Sequence, residues 1–144
     1  MTLCPQLHRF SSDHARWLAE ERRGRGKGVD ERCSRLLAAW DREMNPHCRL
    51  EEEILLPELT RHVSETDALV LFTMGDHVAL RRLARELRAA RPEARPAALA
   101  RFLGKLEEHF RFEERTLLPT LQERIGCDRL GALVDEMTIH STGR

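Results

Sequence analysis

A chain that uses one thirteen-residue pattern twice restricts itself to folds with two equivalent halves. HCRLEEEILLPEL (residues 47–59) recurs as HFRFEERTLLPTL (109–121), agreeing at eight of thirteen positions when His47 is set over His109. The repetition reaches further. Asp13-His14 recurs as Asp76-His77 at an offset of 63 residues, against 62 for His47 and His109, and Trp40 aligns with Phe102. Two hairpins on one plan are expected.

Both hairpins read as helical. Alternation is nowhere sustained, β-branched residues are few, and Leu, Ala, Arg and Glu dominate with apolar residues three and four apart. The first helix is expected from Leu7 or Ser12 to Arg23, ending at the glycine-rich loop GRGKG. With Asp30 as N-cap, the second runs from Glu31 to Arg61 as one bent rod, because Pro46 and Pro57 each remove a backbone donor. Ser64 or Thr66 would cap a third helix ending near Arg91, before the loop RPEARP. A fourth spans Pro96 to Arg124 with Gly126 as its C-terminal cap, and Asp128 to Met137 forms a short fifth, followed by loose residues. The expected fold is all-α: an antiparallel up-down-up-down four-helix bundle with a short C-terminal fifth helix, one domain over residues 1–144.

Charge excludes some partners. Lys plus Arg and Asp plus Glu number 24 each, so no net field selects nucleic acid or an anionic membrane. MTLCPQLHRF lacks the basic start and apolar run of a secretory signal, and no stretch approaches the ~20 apolar residues that span a bilayer. A cytoplasmic protein is expected, with Cys4, Cys33, Cys48 and Cys127 as free, partly buried thiols.

The repeat also carries a ligand set. Each hairpin brings a lone histidine on its first helix, His14 or His77, and an HxxxE pair on its second, His47 with Glu51 or His109 with Glu113. Four residues of helix turn about 400°, so the members of each pair share a face one turn apart. Glu52 and Glu114 rotate a further ~100° and need a distorted helix to point inward, which favours Glu51 and Glu113 while leaving their neighbours as alternatives. A single HxxxE proves little. Two in register, each preceded at 32 or 33 residues by Asp-His, are hard to obtain from core packing, because buried His and Glu without compensation are costly.

Imidazole with carboxylate suits Fe, Mn or Zn, and two bridging carboxylates with two histidines on each side would serve two ions. The ExxH pairs of ferritin-like carboxylate proteins and the HExxH pair are both missing, and there is no tyrosine for a radical. Because ligand histidines must be neutral, metal binding is expected to weaken as pH falls through ~6.

The pattern His14, His47xxxGlu51, His77, His109xxxGlu113, with Leu-Leu-Pro after each HxxxE, resembles the hemerythrin-like (HHE cation-binding) domain over essentially the whole chain. The resemblance implies a four-helix bundle around a non-haem centre of two oxo- or hydroxo-bridged iron ions, with histidines as terminal ligands and glutamates as bridges. It further implies a small oxidant ligand, dioxygen, peroxide or nitric oxide, that is bound, sensed or reduced. A regulatory module, an iron-handling role in cluster repair or storage, and a zinc or manganese site are the alternatives, with a protein partner for the regulatory one. Oxygen carriers of this family place a further histidine where this chain has Thr73, and an aspartate where it has Glu114, so the four-histidine sensor or repair branch is the better match.

Other residues have plainer expectations. Thr73 is expected to satisfy a backbone carbonyl rather than a metal-bound water. Phe10, Trp40, Phe102 and Met74 read as ordinary core rather than pocket wall. Asp13 and Asp76 either orient their histidines or face solvent. His8, His62 and His140 read as surface residues, and Arg81, Arg82, Arg85 and Arg88 as a solvated face.

Overall fold

The computed structural model describes residues 2–142, without the side chains of Arg9, Phe10 and residues 137–142. Five helices account for the architecture, and among the described residues there is no strand. Helix α1 (Pro5–Arg23) starts on a proline at its first position, where the missing N–H costs nothing. Helix α2 covers residues 29–59, α3 is Ala68–Ala89, α4 covers residues 95–125, and α5 is Cys127–Thr142. A 3₁₀ turn, Pro92–Ala94, joins α3 to α4.

Several boundaries differ from expectation for local reasons. Gly28 rather than Asp30 precedes α2, leaving Asp30 in the first turn, where its carboxylate meets Arg95 at 2.8 Å. Asp67, not Ser64 or Thr66, caps α3 by accepting from the Leu69 N–H at 2.9 Å. Gly126 ends α4 as expected, at φ 91°. The fifth helix runs on to Thr142, longer than expected; within it Leu130, Leu133 and Val134 bury against the bundle and Arg129 clamps Glu58 of α2 at 2.6 Å.

The bend expected in α2 takes a specific form. Two π-helical turns, Trp40–Met44 and Glu51–Leu55, interrupt α2, and a third, Glu113–Leu117, interrupts α4. Each ends two residues before a proline: Pro46, Pro57 or Pro119. A proline cannot donate to the carbonyl four residues back and its ring collides with it, so widening the preceding turn by one residue avoids the clash. The hydrogen bonds from Asn45 N to Trp40 O, Leu56 N to Glu51 O and Leu118 N to Glu113 O close these wide turns.

Apolar residues gather in two clusters. One holds Trp17, Leu36, Trp40, Leu80, Phe102 and Leu106; the other holds Leu7, Leu55, Leu59, Leu118, Leu121 and Leu130. Trp40 and Phe102 meet edge to face at 5.4 Å inside the first, and Met74 packs on the second, so these three are core as expected. The side chain of Phe10 lies outside the described residues. Among the described residues no helix is long and apolar enough to cross a membrane.

Candidate metal centre

The polar residues inside the bundle come from four different helices. His14 reaches in from α1, His47 and Glu51 from α2, His77 from α3, and His109 and Glu113 from α4. All except half-buried His47 have at most 2% of their surface exposed. The structure therefore brings together all six residues singled out by the repeat. Glu51, His77, His109 and Glu113 offer donor atoms within 4.8 Å of one another, and so do His14, His47 and Glu113. Glu113 belongs to both groups.

Contacts inside this layer are close but poorly aligned. His77 Nε2 lies 3.0 Å from Glu51 Oε1, His109 Nε2 2.6 Å from Glu113 Oε1, His14 Nε2 3.2 Å from Glu113 Oε2, and His47 Nε2 3.6 Å from Glu51 Oε2. Glu51 Oε1 and Oε2, Glu113 Oε2, His77 Nε2 and His109 Nε2 are buried without a hydrogen bond among the described residues. Buried polar atoms are normally paired, and leaving a group so buried and unmade costs on the order of 1–3 kcal/mol. Imidazole nitrogens and carboxylate oxygens converging in this way fit metal cations of the iron, manganese or zinc type.

Electrostatics of the metal-free cluster agree with that reading. Burial lowers the His14 imidazole, but Glu113 beside it overrides burial and lifts it to about 10. His109 is likewise depressed by burial and raised to about 9 by Asp76 and Glu113. His77 is raised too, by Cys48 and the surrounding glutamates against its own burial. His47, where burial dominates, drops to about 3. Burial and the neighbouring Glu113 push the Glu51 carboxyl up, whereas for Glu113 the histidines outweigh burial and hold it well below the usual range. Without a cation, protons hold this cluster together.

A ring of carboxylates grips the other nitrogen of three histidines. Glu114 Oε1 lies 2.9 Å from His14 Nδ1, Glu52 Oε2 2.6 Å from His77 Nδ1, and Asp76 Oδ2 2.9 Å from His109 Nδ1. Each carboxylate is held in turn: Ser11 Oγ donates to Glu114 at 2.5 Å, Arg81 Nη2 to Glu52 at 2.8 Å, and Lys105 Nζ meets Asp76 at 2.7 Å. A carboxylate on Nδ1 fixes the tautomer and aims the Nε2 lone pair into the cavity. Glu52 and Glu114 thus accept from histidines instead of replacing Glu51 or Glu113 beside the converging donor atoms. The π turns that begin at Glu51 and Glu113 supply the distortion that brings two successive glutamates inward.

Asp76 orients His109, not the His77 that follows it, while Asp13 is 39% exposed and pairs with Arg16 at 3.5 Å. Thr73 donates to the Leu69 carbonyl at 2.8 Å, the plain role expected of it. Arg81 departs from the solvated face by tying Glu52 to Asn45; Arg82 meets Glu86 at 3.1 Å and Arg88 meets Asp41 at 2.7 Å. His8 and His62 are exposed; the side chain of His140 is outside the described residues.

Two aromatic residues were not anticipated. Phe110 stacks on His14 at 4.4 Å and 9°, and Trp17 sets its face edge-on to His47 at 5.2 Å. Their positions, directly after His109 and three residues after His14, were the available signal. Cys48 is buried near His77, and burial pushes its thiol up to about 11 despite the pull of that imidazole, so it is an inert neighbour. All four cysteines are free, with Cys127 exposed.

The comparisons fit this geometry. The family model described as Hemerythrin HHE cation binding domain matches residues 2–121, an interval that contains all six converging residues. Comparisons with curated proteins and with solved structures give no match. With a match over most of its length, the chain belongs to the hemerythrin HHE cation-binding domain family.

Proposed function

We propose that the chain holds two iron ions and binds, senses or reduces a small oxidant such as dioxygen, peroxide or nitric oxide. His77 and His109 would hold one ion and His14 and His47 the other, with Glu113, which belongs to both groups, and Glu51, which lies against His77 and His47, shared between them. The iron pair supplies reducing electrons and an open ligand position when bound. The observation that carries this reading is the convergence of buried nitrogen and oxygen atoms that hydrogen-bond to nothing among the described residues.

The protein's own groups do the rest. Glu114, Glu52 and Asp76 hold three imidazoles by Nδ1, so that each presents Nε2 inward. Phe110 and Trp17 pack against the rings of His14 and His47. The free thiols suit a cytoplasmic setting.

Elemental analysis of the purified protein, then anaerobic loading with ferrous salt and exposure to air, tests the proposal. Two irons per chain and a ferric charge-transfer band in the near ultraviolet are expected. Zinc or manganese as isolated, with fewer than two irons taken up, would overturn it. A regulatory role is favoured by one observation: the centre ties four helices together between two apolar clusters, so occupancy would change the stability of the bundle. Consumption of peroxide or nitric oxide faster than free iron separates an enzyme from a sensor.

A further inference from the structure

Helix α3 is apolar on two faces. Val70, Thr73, His77, Leu80, Leu83 and Leu87 point into the bundle and are buried. On the outside, Leu71, Phe72 and Val78 are 55%, 49% and 60% exposed, the large hydrophobic side chains most open to solvent among the described residues. A helix hydrophobic on both sides ordinarily has neighbours on both.

The outer face has a regular spacing. Ala68, Leu71, Gly75, Val78 and Arg82 follow at intervals of three, four, three and four, the seam that packs against another helix. Gly75 sits at the centre of this seam, and a Cβ there would meet nothing within 4 Å, so a second backbone can approach closely. Phe112 of α4 widens the patch by packing on Phe72 at 4.5 Å.

Charge indicates which helix. Glu65 and Asp67 lie just before α3, and its last two turns carry Arg82, Arg85 and Arg88, of which Arg82 already meets Glu86 and Arg88 meets Asp41. Arg85 is exposed and makes no ion pair among the described residues. An antiparallel copy of α3 crossing at Gly75 would set the acidic start of each helix against the basic end of the other, and opposite helix dipoles add to the match.

We infer that α3 is a self-complementary docking surface, and that two copies of the chain pair antiparallel through Leu71, Phe72, Gly75 and Val78. Three half-exposed side chains fall short of the ~800 Å² per partner of a stable complex, so the dimer is weak and dependent on concentration and salt.

Gly75→Cys in a Cys127→Ser background tests the pairing by mild oxidation of the full chain. The same change at Gly104, an exposed α4 glycine with equally open surroundings, is the control. A disulfide-linked dimer from Gly75→Cys and none from Gly104→Cys is expected. Sedimentation of the unmodified protein should show mass rising toward twice the monomer with concentration, and Val78→Asp should abolish the rise while circular dichroism stays helical. A monomer at every concentration, equal cross-linking at both positions, or a rise unaffected by Val78→Asp would overturn the inference.

Discussion

The two halves of the centre come from equivalent sequence but lie in different surroundings. His77 and His109 are fully enclosed, meet edge to face at 5.0 Å, and are both gripped at Nδ1 by carboxylates. His14 and His47 meet at 5.5 Å beside Trp17 and Phe110, and the His47 side chain keeps 10% of its surface exposed. Trp17 also borders a groove of about 630 Å³ between α1 and α2, lined by Leu36, Met44 and several arginines. Asp13, which the repeat sets over Asp76, has turned outward to Arg16. Duplication thus preserves the donor atoms but not their access to solvent.

The largest effect should come from Glu113, which lies in both groups of converging donor atoms. Glu113→Ala removes a donor from each group and is expected to reduce iron from two per chain to below one, by elemental analysis. A variant that still binds two would refute the shared role of Glu113.

Next come the two aspartates. Asp76→Ala frees His109 Nδ1 and should weaken metal binding roughly 10–100-fold, whereas Asp13→Ala should change it less than about twofold, by competition with a chelator. Equal losses would mean that the halves do not differ as described.

The pH window is a third test. Metal must displace protons from His14 and His109, whose metal-free values are raised to about 10 and about 9, so affinity should still be climbing between pH 7 and 9. That lies above the window near 6 expected of ordinary histidines. A raised imidazole stabilises the metal-free fold at low pH, and this is lost as pH rises through about 9 to 10. Thermal melts of metal-free protein should therefore fall in that range while the loaded protein holds, and parallel curves would count against the proton-filled cage. The smallest effect is expected from Trp17→Phe, which loses the indole N–H bond to Glu43 at 2.9 Å and about 1 kcal/mol of stability, with faster metal release from the His14/His47 half by stopped-flow chelation.

Much of this was legible from the repeat alone. The HxxxE spacing is a statement about helix geometry, so the inward set of His47, Glu51, His109 and Glu113 follows once the chain is helical. The duties of Glu52, Glu114 and Asp76 were harder to read because each acts on a histidine from another helix, and the packing of helices sets those distances. The outward turn of Asp13 has a local cause instead: Arg16, one turn later on the same helix, competes for it. Prolines signalled bending at Pro46 and Pro57, but not that the helix would widen at the glutamates.

Those wide turns have an engineering consequence. Each takes one residue more than an α turn to come once around, so the leucines beyond Glu51 and Glu113 keep the inward phase of a helix one residue shorter. Removing one residue from either turn, such as Glu53 or Arg115, should let it close as an ordinary α turn with that phase intact, while losing the room that spares Pro57 or Pro119 its clash. Such a deletion should be felt at the centre, where Glu52 or Glu114 swings away from its histidine, more than at the apolar end holding Leu59 and Leu121.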